Sequence, residues 1–149
     1  MVYAPNFSVG VNVLFWLCEQ AVRLAGPEFD LEIVEMHHKR KLDAPSGTAK
    51  RMAEVVAHAR NVALADIERH GRVGMVGARP SGELGIHALR GGDVVGDHTL
   101  YLAGPGEQLE LTHRAHGRHI FARGAVRAAH WAVSREPGLY DMGDVLGIK

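Results

Sequence analysis

Three β-forming segments in close succession dominate the second half of the chain. They cover about residues 85–90, 94–103 and 108–113, and Gly91-Gly92-Asp93 and Gly104-Pro105-Gly106 cut between them. Glycine-bearing breaks this close together turn a chain back on itself, so this half must contain sheet. Helical periods lie on either side. Val11, Leu14, Cys18, Ala21, Val22 and Ala25 recur at three- and four-residue spacing and predict a helix over 8–25, with Ser8 as N-cap and Gly26-Pro27 as its end. Residues 30–36 alternate, Leu31 and Ile33 against Glu32 and Glu35, as a strand does. Ala49, Met52, Ala53, Val56 and Ala57 predict a second helix to about residue 62, and a last one is expected over about 119–133. Residues 67–85 show no period and read as a long surface loop. The expected fold is α+β, a mixed, mostly antiparallel sheet flanked by helices.

The 149 residues suit one domain with a real core. Seventeen Lys and Arg balance seventeen Asp and Glu, so no net positive field draws nucleic acid or an anionic membrane. No apolar run reaches the ~18 residues that span a bilayer, and the start lacks the layout of a signal peptide. The single cysteine, Cys18, sits in an apolar helical stretch, where a buried inert thiol is the expected reading. One cysteine cannot form an internal disulfide, which fits a reducing compartment. These features lead us to expect a soluble cytoplasmic protein. No Gly-x-Gly-x-x-Gly follows a strand and no Gly-Lys-Ser/Thr occurs, so this sequence does not build a dinucleotide-binding βαβ unit of its own.

The stretch with most chemistry is Glu35-Met36-His37-His38-Lys39-Arg40-Lys41-Leu42-Asp43-Ala44-Pro45-Ser46-Gly47-Thr48-Ala49. Five consecutive residues, 37–41, are cationic or can become so, which costs Coulomb energy unless an anion or solvent lies among them. Ser46-Gly47-Thr48 then opens a helix, whose free amides and dipole favour an anion. Two anion-attracting devices side by side suit a small substrate with more than one carboxylate. Histidine passes protons near neutral pH, and a lysine among cations can be tuned to do so. A solvated basic loop next to an ordinary helix cap explains the same residues. His37 and His38 could instead hold a metal, but adjacent side chains diverge and no third ligand has a recognisable spacing, so no metal is expected. His58, His70, His87, His98, His113, His116, His119 and His130 read as surface or satisfied core residues. Arg118, at the start of the last helix, could clamp a carboxylate through two donors.

On these residues the chain resembles the dihydrodipicolinate reductase family. The signature 35–49 carries the likeness, and further segments match in order: Asn6-Phe7-Ser8-Val9-Gly10-Val11-Asn12, Arg90-Gly91-Gly92-Asp93-Val94-Val95-Gly96-Asp97-His98-Thr99, Leu109-Glu110-Leu111-Thr112-His113, Phe121-Ala122-Arg123-Gly124-Ala125-Val126-Arg127-Ala128-Ala129, and Gly138-Leu139-Tyr140-Asp141-Met142. The resemblance implies an NAD(P)H-dependent reductase of the diaminopimelate–lysine pathway that converts 4-hydroxy-tetrahydrodipicolinate to tetrahydrodipicolinate. It implies that residues 1–149 form the substrate-binding and oligomerisation domain, with 1–8 as the hinge that follows a nucleotide-binding domain, here absent. NADPH or NADH is the implied cofactor, a small cyclic dicarboxylate the substrate, and a homotetramer the assembly. Residue by residue, His37 takes the place of the proton donor/acceptor and Lys41 that of a second proton donor. His38, Ser46, Gly47, Thr48 and Arg118 match substrate contacts, and Ala4, Pro5, Asn6 and Phe7 the segment that touches the nicotinamide end of the nucleotide. Two functional classes stay open: the substrate half of an enzyme, or a dicarboxylate-binding or oligomerisation module without turnover.

Overall fold

The structure, a computed structural model, describes residues 1–148. They form α1 (Val9–Ala25), β1 (Asp30–His37), α2 (Gly47–Arg60), α3 (Leu64–Ile67), β2 (Glu68–His70), β3 (Leu84–Arg90), β4 (Gly96–Gly104), β5 (Glu107–Ala115), α4 (His119–Ala132) and α5 (Met142–Leu146). The two long N-terminal helices begin where a hydroxyl can take up a free amide. Ser8 Oγ accepts the Val11 N–H at 3.4 Å and Ser46 Oγ accepts that of Ala49 at 3.2 Å. Asn61, in the left-handed region, closes α2.

The strands form one mixed sheet in the order β2-β3-β1-β4-β5. Its antiparallel ladders, β1–β4 and β4–β5, are longer in sum than its parallel ones, β1–β3 and β2–β3. Helices α1 and α2 lay Leu14, Cys18, Val22, Met52 and Val56 on Ile33, Leu84, Leu100 and Leu102, and this main core sits on one face of the sheet. Cys18 is fully buried there, and burial pushes its thiol up to about 12, so it is the inert core residue expected. The other face carries Glu32, Val34, Met36 and Tyr101, half-buried, with Leu89, Glu110 and Thr112 exposed.

The break at 104–106 closes a hairpin between β4 and β5, as its glycines suggest. The one at 91–93 does not, because β1 lies between β3 and β4. Two strand spacings are about 10 Å, and five residues cross that distance without strain. The crossing loop then grips the strand it passes over. The Gly91 N–H donates to the His37 carbonyl at 2.9 Å, the His38 N–H to that of Val94 at 2.8 Å, and the Lys39 N–H to that of Gly92 at 3.3 Å. The end of β1 is therefore fixed from above.

Residues 67–85 are not one loop. They contain β2, a polar three-residue edge strand whose side chains are all exposed, so no alternation betrays it. The segment between β2 and β3 is irregular but anchored. Arg72 reaches Glu32 at 2.7 and 3.0 Å, Arg79 reaches it at 3.0 Å, and His87 of β3 at 2.7 Å. Burial works to raise the Glu32 carboxyl, but the bonds from Arg72, His87 and Arg79 outweigh it and hold the group at about 2.

Short α5 is also unannounced by any period; a reciprocal Asp141–Asp144 capping box starts it. With α4 it builds a second cluster, where Ala128, Met142 and Val145 pack on Val2, Phe7 and Trp131. Gly124 makes that approach possible, since a Cβ there would lie 1.7 Å from the Phe7 carbonyl oxygen.

Candidate active site

Both α1 and α2 are joined to β1 by short connections, so they run alike and start at the end of the sheet where β1 finishes. One hydrogen bond ties these starts together: Asn6 Nδ2 donates to Thr48 Oγ1 at 3.1 Å. Here β1 delivers His37 and His38, the 38–46 loop delivers Lys41, and the α2 start presents Ser46, Gly47 and Thr48. Within that loop the Ala44–Pro45 peptide is cis.

Period two along β1 puts Leu31, Ile33, Glu35 and His37 on one face, and all four are buried. The alternation read from the sequence set Glu35 with Glu32, on the solvent side; the pleat instead sends it inward. The Glu35 carboxylate is fully buried and fully bonded. Arg90 grips it through both terminal nitrogens, at 2.9 and 2.8 Å, and His37 Nδ1 lies 2.6 Å from Oε2. The Ser46 N–H donates to Oε1 at 3.1 Å. Burial pushes the carboxyl up, but Arg90, His37 and the Ser46 amide together hold it below its ordinary value.

His98, read from the sequence as a surface or satisfied core residue, belongs to this cluster. It shares the inward face of β4 with Leu100 and Leu102, and its ring meets His37 edge-on at 5.1 Å between centroids. Its Nε2 lies 3.0 Å from Ser46 Oγ, while Nδ1 is buried without a partner. An orphaned buried N–H is rarer than an orphaned lone pair, so Nε2 carries the proton and donates to Ser46. Burial first, then the neighbouring His37, drives His98 down to about 4. Ser46 Oγ thus accepts from His98 and Ala49, and its own proton is left for a ligand.

Arg118 stands at the N-terminal edge of α4, exposed, close enough for its charge to act on His38. His38 is held below its ordinary value by desolvation and then by Arg118, Arg40, His37 and Lys41, which makes it a neutral imidazole among cations. Lys41 is paired with Asp43 at 2.8 Å, so the cation run is partly neutralised from within. Gly47 opens α2 with no atom of the chain within 4 Å of the place a Cβ would occupy. That space suits an anion approaching the helix start. Ala4 and Pro5 border a groove of about 640 Å³ that also touches Gly47, Trp16 and Lys50. Asn6 is spent on Thr48 and Ser8, and Phe7 packs under α4. Sequence reasoning missed Glu35, Arg90 and His98. Strict counting by two along β1 and β4 would have found the first and last.

A cationic strand end facing a capped helix start, with Gly47 exposed and open to an anion, can be set against known proteins. Residues 10–146 match the family described as dihydrodipicolinate reductase, C-terminus. The 4-hydroxy-tetrahydrodipicolinate reductase of Akkermansia muciniphila is 56% identical over 99% of this chain and 60% of its own length. That of Anaeromyxobacter dehalogenans is 55% identical over all of this chain and 55% of its own length. Among solved structures, a dipicolinate-bound dihydrodipicolinate reductase from Paenisporosarcina sp. TG-14 superposes with a TM-score of 0.71 at 29% identity, covering 94% of this chain and 52% of the other. The chain spans little more than half the length of these relatives. The order of its elements, its signature at 35–49 and these matches agree, and the chain belongs to the dihydrodipicolinate reductase C-terminal domain family.

Proposed function

We propose that this chain is the substrate-binding half of an NAD(P)H-dependent 4-hydroxy-tetrahydrodipicolinate reductase of the diaminopimelate–lysine pathway, working in the cytoplasm. One observation carries the reading: the cationic end of β1 and the open start of α2 face each other, held together by Glu35 and Ser46. One carboxylate of a cyclic dicarboxylate meets the amides of Gly47 and Thr48 and the Ser46 hydroxyl. The other meets His38 and Arg118. That a relative's structure holds dipicolinate supports this ligand class.

The overall reaction takes a hydride and a proton and releases the hydroxyl as water. When bound, the nicotinamide would supply the hydride, and the groove bordered by Ala4 and Pro5 is where this reading places its end. His37 and Lys41 are the proton carriers of this reading, and the loop 91–94 and the Asp43 pair hold them in place.

Calorimetry with pyridine-2,6-dicarboxylate tests the pocket. Thr48→Val and Arg118→Ala should each weaken binding, and unchanged affinity in both variants refutes the assignment. With the nucleotide-binding domain of a relative supplied in trans, His37→Gln and Lys41→Met should lower kcat on the order of 10²–10⁴-fold. Binding without any turnover in that reconstituted system would instead favour a module that holds dicarboxylate and catalyses nothing.

A further inference from the structure

We propose that Glu35 is the positioning residue for His37: clamped by Arg90, it accepts the His37 Nδ1–H, leaves Nε2 as the nitrogen that exchanges protons, and sets it against the start of α2. This deepens the proposed reductase function and rests on it. The hydrogen-bond geometry leaves little freedom. Oε2 faces Arg90 Nη1 at 2.9 Å and His37 Nδ1 at 2.6 Å; Oε1 faces Arg90 Nη2 at 2.8 Å and the Ser46 N–H at 3.1 Å. Arg90 and a backbone amide can only donate. A proton on the carboxyl would have to go to His37 Nδ1, against a two-pronged guanidinium that favours the ionised form. The pair is therefore a carboxylate facing an N–H, and the neutral His37 ring carries its lone pair on Nε2.

Nε2 has no hydrogen bond among the described residues and lies over Gly96, where a Cβ would come within 2.9 Å. A tenth of the His37 side-chain surface stays exposed. The nitrogen assigned to proton exchange is thus the unbonded one, and the other is tied to Glu35.

A plain structural ion pair would need only Arg90. Glu35 also holds the proton carrier and, through Ser46, the N-cap of the helix assigned to the substrate carboxylate. Arg90 extends the tie to the Asp43 carbonyl at 2.7 Å, the residue that pairs with Lys41. One buried carboxylate thereby registers both proton carriers with the anion site. Supports of this kind fix tautomer and orientation, and their loss costs 10–100-fold at comparable sites.

The test is the His37 tautomer, read by long-range 1H–15N correlation on the 149-residue chain without substrate at pH 7.5, with His37→Gln for assignment. Wild type should show Nδ1 protonated and Nε2 bare. In Glu35→Gln the amide must keep its oxygen toward Arg90 or Ser46 and turn its NH₂ to His37, so the ring should change to the Nε2–H form. A wild-type ring with a bare Nδ1 and its proton on Nε2 overturns the proposal even if the variant does not fold. A folded variant with the wild-type tautomer overturns it as well. With the nucleotide domain supplied, Glu35→Gln should lower kcat about 10–100-fold with KM for the dicarboxylate within about threefold; a kcat within twofold refutes the role. Failure of wild type to bind pyridine-2,6-dicarboxylate would sink the reductase reading instead, and the substrate-free tautomer would still decide the Glu35–His37 geometry.

Discussion

Lowering the pH from 7.5 to 4.5 should cost this fold much of its stability through one side chain, His98. Its side chain is 3% exposed, between His37 and Glu35 of β1, His113 of β5 and Lys41 of the loop. Burial, with the neighbouring His37 second, takes it from an ordinary 6.5 to about 4. A histidine depressed in the folded state stays neutral there while the unfolded chain takes up a proton. Its stabilisation is complete above about pH 6.5 and drains away as the pH falls toward 4. At ~1.4 kcal/mol per pH unit, that interval corresponds to roughly 3 kcal/mol at full protonation of the unfolded chain. The carboxylates act elsewhere on the scale. Glu35 and Glu32 are held below 4.5, so their contributions are lost only in more acid solution. His113 is also lowered, by burial, and leaves a smaller slope in the same direction as His98. Urea unfolding at fixed pH, followed by tryptophan fluorescence, measures the effect. His98→Gln keeps a donor for Ser46 and cannot titrate, so it should flatten most of the slope. A wild-type stability that changes by less than about 0.5 kcal/mol over this range, or an equal loss in both proteins, would refute the reasoning.

Gly47→Ala should leave thermal stability equal or slightly higher, since its φ is not in the left-handed region and the new methyl meets no atom of the chain. Calorimetry should nevertheless show at least tenfold weaker binding of pyridine-2,6-dicarboxylate; equal affinity would mean the space is not a ligand's. Gly124→Ala should behave in the opposite way, because its Cβ would lie 1.7 Å from the Phe7 carbonyl oxygen. We expect a loss of more than ~2 kcal/mol from the unpacking of α4, seen as a lower midpoint in thermal unfolding. We propose that the half-exposed sheet face carrying Val34, Met36 and Leu89 is covered by another copy, since an apolar face of this kind is commonly closed by symmetric assembly. Light scattering should give a tetramer, and a monomer at micromolar concentration would refute it.

The fold was legible wherever burial imposes a period. Val11 to Ala25 spells one helical stripe, and Leu100 and Leu102 spell the inner face of β4. What stayed hidden lacked that imprint. Glu68–His70 is a strand only because β3 offers it an edge, and all its side chains face water. The insertion of β1 between β3 and β4 is a decision between partners distant in sequence, which the turn at 91–93 cannot express. The candidate site divides along the same line. His37, His38, Lys41 and Ser46 were visible because charge and cap residues are bunched there. Arg90 and His98 were not, since both come from strands far along the chain and meet Glu35 and Ser46 only after the sheet forms.

Glu35 shows why polar residues on an inward face are informative. A carboxylate placed in register with Leu31 and Ile33 is costly to bury unless donors surround it. Here four donor groups reach it: both terminal nitrogens of Arg90, the His37 ring and the Ser46 amide. Such a site contributes little net stability, because well-packed apolar residues of the same volume could do as well. What an apolar replacement could not do is hold a ring nitrogen and a helix N-cap at fixed distances from the same two oxygens. The crossover of 91–94 over β1 completes the constraint from the other side, through the Gly91 N–H on the His37 carbonyl and the Val94 carbonyl on the His38 N–H. Backbone and side chain of His37 are thus fixed independently, one by the loop and one by Glu35. A substitution in the loop should move the imidazole without changing its tautomer, whereas a substitution at Glu35 should change the tautomer as well as the ring's placement.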